Sequence, residues 1–316
     1  MRRIPARRVA RRVRIIRVVR SAQGVAVSEP GDMSSDSEFR PSAADVATAA
    51  SPPQAAERSV FVYALGQVEP RFPSLAIEKE FAQSIGSADA AGLTDRQATR
   101  NALLQRSNRY LARGLCWVFT VEGIETYILI PRDPGDYELL IEAYRDEPRR
   151  DDLDAIIGIR SHIAPPDMCN GLMIPVVAFD QLYSFDRDTL IDSIPRPESV
   201  PADQADQFRS AAGDLLDQVL QLADNAGATD EHRALNYLAV RYPRIYAITD
   251  EQYRRNFSFT GVEVLPSRLS GTRAILDVIF SYRNRETDVV EKQFARVDVT
   301  EEFPFLVTKM GPYFDR

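Results

Sequence analysis

The hydrophobic period changes within the last third of the chain, and that change limits the folds open to it. From Gln204 to Asn225, Phe208, Ala211, Leu215, Val219 and Leu222 recur at three- and four-residue steps, which lines up one apolar stripe on an α-helix. In ATDEHRALNYLAVRYP, Thr229 or Asp230 is placed to cap a helix, Leu235, Leu238, Ala239 and Tyr242 form its stripe, and Pro243 ends it. From Thr272 the period falls to two. Leu276, Val278, Phe280 and Tyr282 alternate with Asp277, Ile279 and Ser281, as in a strand with one buried face. Beyond the polar RNRETD loop, VVEKQFARVDV alternates again, so a long C-terminal β-hairpin is expected, with FPFLVT as a last strand.

The earlier part of the chain mixes the same two patterns. SVFVYALGQVEP reads as a strand and turn, and CWVFTVEGIETYILIP as a hairpin around Glu122 and Gly123. AIIGIR and GLMIPVVAFDQLYSF read as buried strands. Helices are expected over Pro73–Ser84, where Leu75, Ile77 and Phe81 recur, over Thr94–Arg113 with Thr94 or Asp95 as cap, and over Asp136–Tyr144. Pro195, Pro197 and Pro201 mark a surface connection. Helices and antiparallel hairpins are mixed without regular βαβ spacing, so the fold class is α+β and not a doubly wound sheet.

Charge divides the chain. The first 20 residues hold nine Arg and no acid, and the other residues carry 30 basic against 46 acidic side chains. Residues 1–58, continuing through Ser-, Ala-, Asp- and Pro-rich sequence, are expected to be a disordered leader, with Met33 as an alternative start; residues 59–316 are expected to form the globular domain. The acidic body repels phosphate backbones, so nucleic acid is not an expected partner for it. No run of 18 or more apolar residues exists, so no membrane span is expected. Two cysteines are too few for a disulfide framework, which makes reduced thiols and a cytoplasmic location the expectation.

Catalytic signatures are missing. There is no phosphate loop of the Walker type, no Gly-rich dinucleotide turn after a strand and no nucleophile elbow, and His162 and His232 are the only histidines. Cys116, His162, Cys169 and His232 are all the soft ligands of the chain and together would make one Cys2His2 zinc site. Their spacing matches no zinc ribbon or finger, and Cys116 in an apolar run reads equally as packing. His162 and Cys169 bracket one loop and are the better pair. No other cofactor is expected. The acids Glu78, Glu80, Glu122 and Glu125 read as solvated faces, since nothing in the sequence brings two of them to a catalytic separation.

Two candidate binding features remain. In the IAPPDMCNG loop, Asp167 and Asn170 offer hydrogen bonds from a Pro-stiffened turn, which is also what an ordinary turn requires. On the helix that Thr229 opens, His232 and Asn236 lie one turn apart and face one cleft, while Arg233 and Arg241 with Tyr237, Tyr242 and Tyr246 suit either a peptide groove or core packing.

An ordered series of long blocks carries a family resemblance: VYALGQVEPRFPSLAIEKEFAQ, GLTDRQ, RYLARGLCWVFTVEGIETYILIPRDP, PPDMCNGLMIPVVAFDQLYSFDRD, ADNAGATDEHRALNYLAVRYPRIY, SRLSGTRAILDVIFSYRNR and VDVTEEFPFLVTK. From about Val60 to Arg316 the chain resembles the C-terminal domain of cyanobactin maturation proteases of the PatA and PatG type. In that family the domain follows a subtilisin-like protease acting on a ribosomally made precursor peptide, and its own role is unassigned. The Asp, His and Ser of such a protease have no counterpart here, since residues 1–59 contain no His. The resemblance therefore implies a free-standing, non-catalytic accessory module of modified-peptide biosynthesis, with a precursor peptide or a subtilisin-like maturation protease as partner. An uncharacterised zinc-dependent enzyme and a structural homo-oligomerisation domain are the alternatives.

Overall fold

A computed structural model describes residues 60–85, 94–149, 151–196, 200–220 and 225–314; the expected leader over 1–58 lies outside them. The first β-rich run forms β1 (Phe61–Arg71), followed by helices α1 (Leu75–Ile85), α2 (Asp95–Leu104) and α3 (Arg109–Gly114). Thr94 opens α2 with a reciprocal cap: Gln97 N–H donates to its hydroxyl at 3.3 Å, and its own N–H donates to Gln97 Oε1 at 3.1 Å. The helix expected over 94–113 breaks at Gln105, which turns extended with ψ 128°. Ser107 and Asn108 follow at once, residues whose short polar side chains favour caps and turns over a helix interior.

The hairpin then forms as expected, from β2 (Cys116–Val121) and β3 (Ile124–Pro131). Its turn places Glu122 at φ 51° and Gly123 at φ 78°, the paired positive values of a tight two-residue loop. After α4 (Tyr137–Ala143) come β4 (Asp152–Ile163) and β5 (Pro175–Asp186), which pair antiparallel. These five strands close into a barrel in the order β1-β2-β3-β5-β4, and β3 runs parallel to β5.

Alternation along β1 and β4 sends side chains to two different cores. Val62, Ala64, Trp117, Phe119, Leu129, Ile156 and Phe179 share one cluster with residues of α1 to α4. Their strand neighbours Tyr63, Leu65, Ala155 and Ile157 belong to a second cluster, built with the helices that follow and with the C-terminal sheet. Closure makes this division, because a barrel strand has one inward and one outward face.

Helices α5 (Arg187–Asp192), α6 (Ala205–Leu220), α7 (Asp230–Arg241) and α8 (Arg244–Arg254) lead to a four-stranded antiparallel sheet. Its strands β6 (Phe257–Pro266), β7 (Ile275–Asn284), β8 (Val290–Asp298) and β9 (Phe305–Pro312) lie in sequence order. The expected long hairpin is β7 and β8, and FPFLVT enters β9. Beyond the sequence reading, α8 starts directly after Pro243, because a proline that stops one helix is also accepted at the start of the next. The molecule is α+β. Helix α7 lies between the barrel strand β1 and the sheet strands β7 and β8. The approach on the β1 side is close. Gly227 has φ +70°, and a Cβ there would stand 2.3 Å from the Tyr63 carbonyl oxygen, so only glycine fits without displacement.

Candidate functional site

Helix α7 carries His232, Arg233, Asn236, Tyr237 and Arg241, five of the nine residues expected to bind a ligand, and it uses most of them to hold the molecule together. Thr229 caps it, accepting from His232 N–H at 3.2 Å. Arg233 is 0% exposed. Its guanidinium donates to the carbonyl oxygens of Val299 at 2.6 Å, Glu301, and Glu302 at 3.4 Å, and to Asp230 Oδ1 at 3.0 Å. It also lies over the Phe61 ring, 5.1 Å from the centroid. Burial lowers its pKa, and Asp230 opposes that shift.

Asn236 is equally buried. Its amide donates to the Tyr63 carbonyl at 2.7 Å and exchanges hydrogen bonds with the Asn225 amide at 2.7 and 3.1 Å. Tyr237 and Tyr242 accept at their hydroxyls from the backbone N–H groups of Leu306 and Met310, at 3.1 and 2.9 Å. They thereby occupy backbone donors of the edge strand β9 that would otherwise invite another strand. Arg241 donates to the Tyr183 hydroxyl at 2.8 Å and stacks on its ring, and Tyr246 is fully buried. The cleft expected between His232 and Asn236 is thus filled at Asn236. Arg233 and Asn236 satisfy buried carbonyls and present no atom to a ligand, while His232 is half-buried in the first turn.

The expected metal set does not assemble. Cys116 on β2 and Cys169 in the β4–β5 connection are joined as a disulfide with a Cα–Cα separation of 5.7 Å. This corrects the expectation of reduced thiols, and it removes both sulfurs as thiolate ligands. The residues lie 53 positions apart, and only barrel closure brings β5 and its preceding loop beside β2 and β3. His162 is exposed near the end of β4, its Nδ1 3.0 Å from Ser161 Oγ. Among the described residues no group of three or more His, Cys, Asp and Glu side chains is disposed around a metal position.

The disulfide fixes the loop that carries Asp167 and Asn170. Gly171 N–H donates to the Pro166 carbonyl at 2.7 Å and Ala164 N–H to that of Ile174 at 2.9 Å, closing the loop on itself. Asn170 and Gly171 take positive φ values of 47° and 87°, which Asn and Gly tolerate best. Beneath the loop lies a small third core of Cys116, Val118, Ile128, Ala164, Cys169 and Val176. Asp167 and Asn170 point outward beside the exposed Pro165 and Pro166. Ile163 and Met173, at the two ends of the loop, are 53% and 59% exposed.

One cluster escaped the sequence reading. Arg132, which follows β3, pairs with Asp180 on β5 and, at 3.3 Å, with Glu302 after β8. The Glu302 carboxyl is pushed up to about 7 by burial first and then by its hydrogen bond with Asp180, while Arg132 draws it down. Asp133 and Asp180 similarly raise Asp136, after burial. A folded pKa above the ordinary 4.5 means that the folded chain retains a proton that the unfolded chain releases. This contribution is complete below about pH 4.5 and lost as pH rises through about 7. Relative to Glu302→Gln, which cannot ionise, the wild-type chain should therefore lose thermal stability between about pH 5 and about pH 8. Melting curves of the two proteins across that range check it, and a constant difference would refute it. Three partners from the end of β3 onward, from β5 and from the β8–β9 connection make the cluster, so no local spacing announces it.

Comparison with known proteins addresses the C-terminal part directly. Residues 202–313 match the PatG C-terminal family. The resemblance read from the sequence is thereby borne out. A solved structure described as the PatG domain of unknown function superposes with a TM-score of 0.66 at 22% identity, covering 81% of this chain and 99% of that one. That likeness shows a shared fold. No curated protein matches the chain.

The segment matched to the PatG C-terminal family begins just before α6 and ends just after β9. It contains α7 with Arg233 and Asn236, and also the sheet that Arg233 secures. The barrel, the disulfide and Arg132 lie outside it. Glu302, Arg132 and Asp180 therefore connect the PatG-type segment to the strands that precede it.

Proposed function

We propose that this chain is a non-catalytic accessory module in the maturation of a ribosomally made peptide. It docks a precursor peptide or a subtilisin-like maturation protease through the disulfide-fixed loop. The observation that carries this reading is the exposure of Ile163, Pro165, Pro166 and Met173 around a loop that a covalent bond and its own hydrogen bonds hold in one shape. A surface ordered before binding loses little entropy on association, and methionine adapts to varied apolar partners. The family match supports the pathway. The residues that looked suited to chemistry support the non-catalytic role, since Cys116, Cys169, Arg233 and Asn236 are engaged with one another or with buried backbone.

Calorimetric titration of the full chain with the precursor peptide, and separately with the protease, encoded beside its gene tests the proposal. Binding to one of them is expected, weakened about tenfold by Met173→Asp, which removes an apolar contact and adds an unpaired charge. Lack of binding to both, or equal binding by the variant, would count against it.

A further inference from the structure

The face of the four-stranded sheet turned away from α7 and α8 carries a groove of a different character. Strand alternation places Leu276, Val278, Phe280 and Tyr282 of β7 in the core, so Asp277 and Ile279, themselves buried, lie on the opposite face of the sheet, paired with Arg296 and Phe294 of β8. Tyr313, just after β9, extends the β8–β9 ladder by one residue. Tyr313 N–H donates to the Lys292 carbonyl at 2.9 Å, and its ring meets Phe294 edge-on at 5.5 Å. The resulting groove encloses about 490 Å³, with Arg268, Arg296, Phe294, Tyr313 and Phe314 among its walls. Leu265 and Phe314 expose 38% and 78% of their surface at its rim.

Its charges do not cancel. Arg296 Nε donates to Asp277 Oδ1 at 2.7 Å and to Ser267 Oγ at 3.1 Å, so that cation and that acid are spent on each other. Arg268 is exposed and has no hydrogen-bond or ion-pair partner among the described residues. The chain beyond its first 20 residues has 30 basic and 46 acidic side chains. A groove with an unspent guanidinium between aromatic walls reverses the sign of the body around it.

We propose that this groove binds an acidic peptide segment with interleaved aromatic side chains. A side-chain carboxylate pairs with the Arg268 guanidinium, whose fork matches it in two parallel hydrogen bonds. A ring of the peptide packs against Tyr313 and Phe314, edge to face. A purely apolar ligand would bury Arg268 without a partner, which costs free energy, and a polyanion such as nucleic acid would meet the acidic surroundings of the groove. This site lies on the C-terminal sheet and does not rest on the loop proposed above as a docking surface.

Fluorescence polarisation with a labelled hexapeptide amide of alternating Phe and Glu, beside its Phe and Gln counterpart, tests the proposal on the full chain. Amidation leaves side-chain carboxylates as the peptide's only anions. At physiological salt the Glu peptide should bind about tenfold more tightly than the Gln peptide, as expected for one charge-assisted pair. Arg268→Ala should abolish that preference, and its exposed position makes the substitution neutral to folding. Phe314→Ala should weaken both peptides alike. The nine arginines of the first 20 residues also attract an acidic probe, so the decisive quantity is the difference between wild type and Arg268→Ala. Equal affinity for both peptides, or an unchanged preference in Arg268→Ala, would overturn the assignment.

Discussion

Arg233→Ala is expected to lower stability by about 3–5 kcal/mol, the range for removing one partner of a buried charged network, and to release the β8–β9 connection from α7. The guanidinium satisfies the carbonyl oxygens of Val299, Glu301 and Glu302 and has no exposed surface. Its loss strands those acceptors in a place where water enters only if the sheet moves away, and each stranded acceptor costs about 1–3 kcal/mol. Asp230 also loses its cation, and the Phe61 ring loses the group stacked over it. For a domain of this size the change corresponds to a fall of roughly 6–20 °C in melting temperature. Arg233→Lys keeps the charge but cannot present a planar fork to several carbonyls, so it should fall between alanine and wild type. Thermal melts together with limited proteolysis of the segment after Val299 measure both effects. A variant that melts with the wild type would show that the joint does not hold the sheet.

Breaking the Cys116–Cys169 bond is expected to have the second large effect. Closing a loop of 53 residues in the unfolded chain corresponds to about 4 kcal/mol by the chain-entropy relation, an upper figure because unfolded chains retain structure. Locally, the 164–174 loop would lose its attachment to β2, and the small core of Val118, Ile128 and Val176 beneath it would gain access to water. Wild-type protein should therefore melt at lower temperature in reductant, whereas the double variant Cys116→Ala with Cys169→Ala should melt at the lower temperature with or without it. Identical melting of the wild type under both conditions would refute the prediction. Alkylation of thiols trapped in cells reports the bond's state there, which matters because a cytosol keeps most thiols reduced.

These two sites show how the sequence reading succeeded and where it stopped. Thr94 and Thr229 were legible as caps because a cap and its N–H donor stand three residues apart. The C-terminal hairpin was legible because Leu276, Val278, Phe280 and Tyr282 alternate. The turn at Glu122 and Gly123 was legible because few residue pairs tolerate two positive φ values. Arg233, by contrast, leaves the sequence ambiguous, since an Arg among tyrosines suits a groove as well as a joint. Its acceptors Val299 and Glu301 lie 66 and 68 residues further on. Cys116 and Cys169 were read as reduced thiols or metal ligands for the same reason: their number was visible and their separation in space was not.

The sequence by itself determined the α+β class, most helix and strand positions, and the contrast between an Arg-rich start and an acidic body. It did so because helix stripes, strand alternation, caps and tight turns are set by residues a few positions apart, and charge is a property of composition. Only the tertiary structure decided that β3 meets β5 in parallel to close a barrel, and that α7 is held between that barrel and the C-terminal sheet. It alone decided that two cysteines meet, that Glu302 shares its site with Asp180, and that Arg268 faces a groove without a partner among the described residues. Each of these depends on contacts between distant segments, and burial, pKa and pairing follow from such contacts rather than from the spacing of neighbours along the chain.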